Sequence, residues 1–495
     1  MNRRKKLYFN TLTALVLQII TFVCGFILPK YILLYFGSDI NGLITSITRF
    51  LSVISFLELG IGPVIQSNLY KPLADKDEKA INEILVSSER FYKIISYIFL
   101  SYIVFLIILF PKFNPEYNLL FSASLIVIIA ISTFAQYYFG ITFQVLLNAD
   151  QKVYIVSIIQ IITLVINTFV SVILIKKGCN IFVVKLASSI VFVIRPLFLN
   201  YYVKKTYNLN LNVTYVDEPI KQKWNGFAQH VASVVTEEID IILLTIFVGY
   251  KSVSIYSIYF LVANGVTKIV MMAVSGLESF WGNMIANKEN RLLENTFELV
   301  ECMTHLLITF IYCSTAILIS PFVLIYVKGS PDIIDYYVPV FGVLLTAAYG
   351  IQCLRIPYFR IIKAAGHYKE TQNGSFIAMF INIIVSIILV LRFGLLGVSI
   401  GTLMAMIFHT LYFVFYLRKH IIFRSLKHFF KHVLIDFLSI YIILSLSKHI
   451  SLTDLTYVDW VVYAIKISMI SVSIILPFNC IVFGKRFVQL VKQFN

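Results

Sequence analysis

The sequence predicts an all-α integral membrane protein with about 14 transmembrane helices. Three observations predict it: too few charges for a soluble surface, long uncharged runs, and a regular spacing of those runs. Only 13% of the 495 residues are charged while 59% are hydrophobic, and the mean hydropathy is +0.86. A soluble domain carries about a quarter charged residues, so this chain cannot clothe a water-facing surface. Uncharged runs lie at 7–29, 94–111, 117–149, 153–175, 302–327, 336–354, 371–391, 393–417 and 467–484. Most reach the roughly 18 to 20 apolar residues that a spanning helix needs. A β-barrel would show alternating segments of about 10 residues, whereas these runs are continuous.

Taken in order, the predicted helices begin near residues 8, 40, 88, 118, 153, 180, 223, 252, 295, 336, 371, 395, 427 and 459. That is one per roughly 35 residues, a span plus a short loop. The first follows MNRRKK, and its 23 uncharged residues without a small-residue cleavage site mark a retained span rather than a signal peptide. The second opens at Phe36-Gly37 and is interrupted by Arg49. The third, fourth and fifth are near-continuous apolar runs. The sixth carries Arg195 before Pro196, whose missing donor permits a kink. The seventh and eighth are spans broken by charges, and the ninth begins with Glu298, Glu301 and His305, which read as side chains snorkelling to the interface. The tenth ends at Arg355 before Pro357, and the eleventh and twelfth are again continuous, with the lone His409 expected to be satisfied within the core. The last two carry Asp436 and Lys466; the latter is expected to pair with Asp436 or Asp459, or to meet a lipid diphosphate. Six scattered cysteines, Cys24, Cys179, Cys302, Cys313, Cys353 and Cys480, lack any paired ligand spacing and read as small core residues.

Placing the amino terminus and every second loop on one face collects 27 basic residues, among them Arg3 to Lys6, Arg360, Arg424 and Arg486. The opposite face holds eight: Lys30, Lys112, Lys176, Lys177, Lys251, Lys328, Arg392 and Lys448. The positive-inside rule then makes both termini cytoplasmic. Basic loops beside an anionic leaflet also account for the +16 net charge without a nucleic-acid partner.

The chain repeats itself. INTFVSVILI at Ile166 to Ile175 aligns with INIIVSIILV at Ile381 to Val390, setting Asn167, Ser171 and Leu174 on Asn382, Ser386 and Leu389 at an offset of 215. An offset of 212 sets Ala74 to Asn82 on Ala286 to Glu294, and Gly37 on Gly249. The expected organisation is a six-helix bundle over 1–205, a second over 206–420, and helices 13 and 14 over 421–495. Six is an even number, so the two repeats enter from the same face and are parallel, with a central cavity between them. This is the plan of an alternating-access transporter.

A charge near the bilayer centre costs about 2.5 to 3.5 kcal/mol on insertion scales, so each must face a partner or a wet cavity. In the seventh helix His230, Ser233, Glu237 and Asp240 fall in one stripe, with Glu238 beside it. The eighth carries Ser257, Asn264, Lys268, Ser275 and Glu278; the second has Asn41, Thr45, Thr48, Ser52 and Ser55 with Arg49 at the edge and Glu58 below; the first has Thr11, Gln18, Thr21 and Gly25. These four helices are expected to line the cleft. Arg49 and Lys268 either attract an anionic group or neutralise Glu237, Glu238 or Asp240 across the bundle. Glu237 and Asp240 alternatively take up a coupling proton or sodium ion, since two carboxylates one turn apart favour protonation of one. Arg195 and Arg355 are further substrate-binding candidates, together with Asn264 and Gln18.

Chemistry is not written into the chain. Asp75-Lys76-Asp77 has a glycosyltransferase-like DxD spacing, but it sits in a charge-mixed loop whose repeat partner is Asn287-Lys288-Glu289. There is no GxxxxGK[ST], HExxH or GxSxG pattern, so no catalytic residue, no metal site and no cofactor are expected, and a membrane polymerase or glycosyltransferase would need longer loops.

The Phe36-Gly37 opening, LELGIGPVIQSNLYKPLADKD at Leu57 to Asp77, AAGHYKET at Ala364 to Thr371 and FGLLGVSIGTLMAM at Phe393 to Met406 resemble the polysaccharide-unit flippases (O-antigen, capsule and exopolysaccharide repeats) of the multidrug/oligosaccharidyl-lipid/polysaccharide exporter superfamily. The resemblance covers essentially the whole chain. It implies movement of an undecaprenyl-diphosphate-linked oligosaccharide from the cytoplasmic to the outer leaflet of a bacterial inner membrane, with buried cleft cations that match Arg49 and Lys268. It further implies a lipid-linked oligosaccharide and membrane lipids as partners, beside polysaccharide polymerase and glycosyltransferases, and no nucleic acid. The acidic set Glu237, Glu238 and Asp240 departs from that pattern and keeps an ion-coupled exporter of drugs or organic cations open.

Overall fold

The computed structural model describes residues 3–57, 61–113, 117–211, 213–215, 217–220, 227–274, 276–332 and 334–492, with residues 3, 56, 227–230, 233, 273, 485–487 and 489–492 described through the backbone alone. The helices are α1 (Arg3–Ser52), α2 (Ile61–Asp75), α3 (Glu78–Leu109), α4 (Leu119–Ala135), α5 (Ile141–Ala149), α6 (Val153–Lys176), α7 (Ile181–Thr206), α8 (Phe227–Phe247), α9 (Tyr250–Ala273), α10 (Leu277–Ala286), α11 (Asn290–Val327), α12 (Pro339–Leu354), α13 (Ile356–Ala364), α14 (Tyr368–Phe393), α15 (Leu395–His420), α16 (Lys427–Ser447) and α17 (Tyr457–Lys492). Among the described residues there is no strand. Helices are the only open-ended elements that satisfy every backbone group in lipid. Side-chain oxygens take up the first amides where a helix starts: Asp77 Oδ1 accepts from Ala80 N at 3.0 Å, Asn118 Oδ1 from Phe121 N at 2.9 Å and Asn180 Oδ1 from Val183 N at 3.0 Å.

Among the described residues, 12 helical stretches are long and apolar enough to cross a membrane, and the chain is a multi-pass membrane protein. One of them, Arg4–Ser55, has 52 residues. Straight, it would measure about 78 Å, more than twice the roughly 30 Å hydrocarbon core, but it breaks at Gly37, whose φ of 81° and ψ of 178° are non-helical. Helix α8, 21 residues long and bearing Glu237, Glu238 and Asp240, is not one of the 12.

The structure divides into two compact units, Met1–Ser254 with Ser330–Asp332, and Ile255–Gly329 with Ile333–Asn495. In the first, α6 lies along α1 and α7, α4 packs on α7, and α8 packs on the second half of α1. Its core includes Phe99, Leu106, Phe110, Leu125 and Leu146, all fully buried. In the second, α14 and α15 form the most extensive seam, α12 packs on α15, and α11 meets both α16 and α17. Large apolar side chains such as Phe169, Leu391 and Met469 are about two-thirds exposed, which is the composition of a lipid-facing surface.

The repeated Asn and Ser positions are part of the packing. Asn382 and Ser386 are fully buried, with Ser386 Oγ 3.1 Å from Asn382 Oδ1 and Thr402 Oγ1 3.3 Å from the same oxygen. A Cβ on Gly401 would lie 2.1 Å from Ser386 Oγ, so glycine lets α15 approach α14 this closely. In the first unit Ser171 Oγ sits 3.4 Å from Asn167 Oδ1, again buried. Left-handed backbone also recurs along the chain: Gly37 (φ 81°) and Gly249 (φ 116°), Lys76 (55°) and Lys288 (58°), Gln151 (57°) and Gly366 (78°), Gly178 (76°) and Gly394 (52°). The separations are 212, 212, 215 and 216 residues.

Candidate functional site

The kink at Gly37 turns the second half of α1 so that it runs antiparallel to α8. Polar contacts recur along that half, with α9 at the Gly37 end and with α8 beyond. Asn41 Nδ2 donates to Ser254 Oγ at 2.8 Å, Thr245 Oγ1 donates to Ser46 Oγ at 2.8 Å, and Arg49 Nη1 donates to Glu238 Oε2 at 3.1 Å and Oε1 at 3.2 Å. The approach at the Gly37 end is tight, because a Cβ on Gly42 would fall 1.9 Å from the Tyr250 carbonyl oxygen. Thr45 and Thr48 return their hydroxyls to Asn41 O and Ile44 O, so they do not add to the ladder.

Arg49 and Glu238 form the charged far end of this ladder, with side chains 26% and 11% exposed. The sequence pattern sets Glu238 beside the stripe; in the structure it is Glu238 that meets the guanidinium. Glu237 is exposed and Asp240 is buried. The side chains of His230 and Ser233, and residues Glu58 and Ser275, lie outside the described residues, as do Lys221 and Lys223 of the basic loops. Gln18 of α1 is partly buried.

The other candidates divide between the units. Arg195 of α7 donates to Gln144 Oε1 at 3.0 Å, an oxygen that also accepts from Gln136 Nε2 at 3.1 Å. The turn Gln136–Gly140 joins α4 to α5 as a π-helix, and a Cβ on Gly140 would sit 2.7 Å from Pro196 Cβ. The expected proline position is thus used to seat the break of the neighbouring helix. In the second unit Lys268 of α9 is exposed and Asn264 partly buried, and among the described residues Lys268 makes no ion pair. Arg355 stands at the joint of α12 and α13 and donates to His409 Nδ1, while His409 Nε2 faces Ser375 Oγ at 3.2 Å. A guanidinium only donates, so the imidazole proton sits on Nε2. His409 is therefore partly buried and satisfied by Arg355 and Ser375.

Two further expectations are corrected. Glu301 and His305 do not snorkel: each is 1% exposed. Glu301 Oε1 accepts from the Tyr358 hydroxyl and the Arg424 guanidinium. His305 Nδ1 lies 2.5 Å from Asp436 Oδ2, with its ring stacked on His432 at 4.8 Å. Partners from α13, α16 and the segment before α16 compensate the desolvation. Lys466 is exposed, and its expected partners are engaged elsewhere, Asp436 with His305 and Asp459 with Thr456. No local signal marks these pairings, since the partners are 57 to 131 residues apart in sequence.

At the other end of the first unit, the foot of α1 is clasped to the connection between α5 and α6. Lys6 Nζ donates to Asp150 O at 2.8 Å and to Asp150 Oδ1 at 3.1 Å, Lys152 Nζ is 2.8 Å from Asp150 Oδ2, and the Tyr207 hydroxyl donates to that oxygen at 2.5 Å. Burial alone would raise the Asp150 carboxyl above its ordinary range, but the hydrogen bonds from Lys152, Tyr207 and Lys6 outweigh it and hold it low. Among the described residues no three His, Cys, Asp or Glu side chains stand together as metal ligands would.

No family model matches the chain, and no curated protein does. Solved structures do. The lipid II flippase MurJ in an inward closed conformation superposes with a TM-score of 0.71 at 16% identity, covering 96% of this chain and 99% of that one. An inward-facing multidrug resistance MATE family transporter of the MOP superfamily gives 0.61 at 14% identity over 81% of this chain and 95% of that one. The eukaryotic MATE transporter AtDTX14 gives 0.56 at 12% identity over 84% and 95%. The chain has the fold shared by the MurJ flippase and the MATE transporters.

Proposed function

We infer that this protein moves a lipid-linked oligosaccharide on a polyprenyl diphosphate between membrane leaflets by alternating access. The single observation that carries this reading is Arg49: a guanidinium inside a spanning stretch, partly exposed, and held by Glu238 at 3.1 Å. An anionic diphosphate arriving at Arg49 competes with Glu238, and a pair that exchanges partners on loading links occupancy to conformation. Lys268, exposed on α9 in the second unit, is a separate candidate cation for an anionic group. The likeness to a lipid II flippase over 99% of that chain supports the substrate class.

The layout fits fourteen crossings, with Arg4–Ser55 counted twice at its Gly37 break and α8 counted as one. Left-handed residues recurring at separations of 212 to 216 support two parallel repeats, here proposed as 1–205 and 206–420 with 421–495 appended. The basic face supports a reading with both termini cytoplasmic, and the proposed substrate a location in a bacterial inner membrane.

The second reading, an ion-coupled exporter of organic cations, is favoured by exposed Glu237 and buried Asp240 on α8 and by the MATE-like fold. One comparison separates them. In proteoliposomes the protein moves a polyprenyl-diphosphate oligosaccharide, and Arg49→Ala with Lys268→Ala abolishes the movement; no movement under any ion gradient, or an unchanged rate in the double variant, overturns the first reading. A deletion strain that loses surface polysaccharide but keeps its drug susceptibility excludes the second.

A further inference from the structure

The connection between α11 and α12 carries an unusual contact. Its residues Ser330–Asp332 group with the first unit, whereas the helices on both sides of it lie in the second. Asp332 accepts the backbone N–H of Ser38, 294 residues away. Physical chemistry explains the choice of partner. The break at Gly37 makes Ser38 the start of a new helix, whose first amides have no partner within it and carry partial positive charge. A carboxylate satisfies both needs. A Cβ on Gly37 would lie 2.9 Å from each Asp332 carboxylate oxygen, so glycine is required here for the approach of Asp332 as well as for its φ of 81°.

Asp332 stands at the end of the polar ladder. One residue on, Asp39 pairs with Lys251 at 3.6 Å; next come Asn41 with Ser254 at 2.8 Å and Gly42 against the Tyr250 carbonyl. We propose that Ser330–Asp332 form a strap whose Asp332 holds the helix beginning at Ser38 in its observed place, and whose release is a step in opening this end of the first unit. The end concerned is the one away from Arg4. This inference rests on the alternating-access reading above, but not on which substrate is carried.

The test uses the full-length chain with its six cysteines replaced and Ser46→Cys added. Ser46, about two turns along the helix from Ser38, is fully buried and bonded to Thr245. In proteoliposomes a membrane-impermeant maleimide reports how often this position opens. Asp332→Ala is expected to raise the labelling rate about fivefold, the usual scale for loss of a helix-capping side chain. Asp332→Asn, which keeps an acceptor oxygen, should raise it less. Labelling of Asp332→Ala at the parent rate overturns the strap. If the parent labels faster when lipid-linked oligosaccharide is added while Asp332→Ala changes nothing, the strap alone fails; if neither variant ever labels, with or without substrate, the alternating-access reading fails. Should Asp332→Ala not fold, a Ser38→Cys and Asp332→Cys pair decides the matter. Oxidised, it should block transport reversibly, with reductant restoring it; undiminished transport by the cross-linked protein overturns the proposal.

Discussion

Replacing Arg49 and Glu238 by methionine, singly and together, separates a transport role from a bracing one. The pair is held at 3.1 Å with side chains 26% and 11% exposed. Breaking a buried ion pair by removing one partner costs about 3 to 5 kcal/mol, and an exposed pair contributes about 0.2 to 1 kcal/mol. Partial exposure places this one between, at roughly 1 to 3 kcal/mol for either single substitution. Two methionines of similar volume leave no unpaired charge, and such swaps are often neutral or stabilising. Thermal unfolding in detergent should therefore fall for Arg49→Met and for Glu238→Met and recover in the double variant. Transport should not recover, because the anion's partner is gone. Glu238→Gln adds a kinetic signature: with its competitor weakened, Arg49 binds the anion more tightly and releases it more slowly, so KM and kcat fall together. A double-methionine protein with full transport would show that Arg49 only braces α1 against α8, and single variants as stable as the parent would show that the pair carries no energy.

Two other substitutions probe the scaffold. Gly401→Ala forces a methyl to within 2.1 Å of Ser386 Oγ and should cost about 1 to 3 kcal/mol by overpacking, while Gly282→Ala in α10, where nothing stands within 4 Å, should gain up to about 1 kcal/mol from helix propensity; thermal shifts of equal sign for the two would refute the seam. Asp150 is held below its ordinary carboxylate range, so its contribution is present above the unfolded-state pKa near 4 and is lost as pH falls through the lower folded value. The stability gap between the parent and Asp150→Asn should therefore be constant above pH 5 and shrink below pH 4; a gap that widens on acidification would contradict the clasp between Asp150, Lys6 and Lys152.

How much of this was legible in the sequence follows from the range over which each energy acts. The cost of placing a residue in lipid is set by its own side chain, so composition and run length alone yield the helical class and most of the helices. Backbone geometry is nearly as local, and the pairs Gly37 with Gly249 and Lys76 with Lys288, aligned by sequence, share left-handed φ. Compensation of a charge is different. Arg49 declares itself as a cation inside an apolar stretch, but its partner lies 189 residues away among three acids within four positions. Helical phase, at 100° per residue, cannot choose between Glu237 and Glu238 without knowing which face α8 turns to α1. Glu301 and His305 show the same limit from the other side: read from their own turn of helix they look interfacial, and they are buried because Tyr358, Arg424 and Asp436 arrive from distant segments. A sequence thus shows where a charge needs a counterpart, and the fold alone shows which counterpart it finds. By that logic Lys268 is the informative residue. It carries the same local cost as Arg49, is exposed, and makes no ion pair among the described residues. A lysine kept in a spanning helix on those terms fits a counter-charge that arrives from outside the chain.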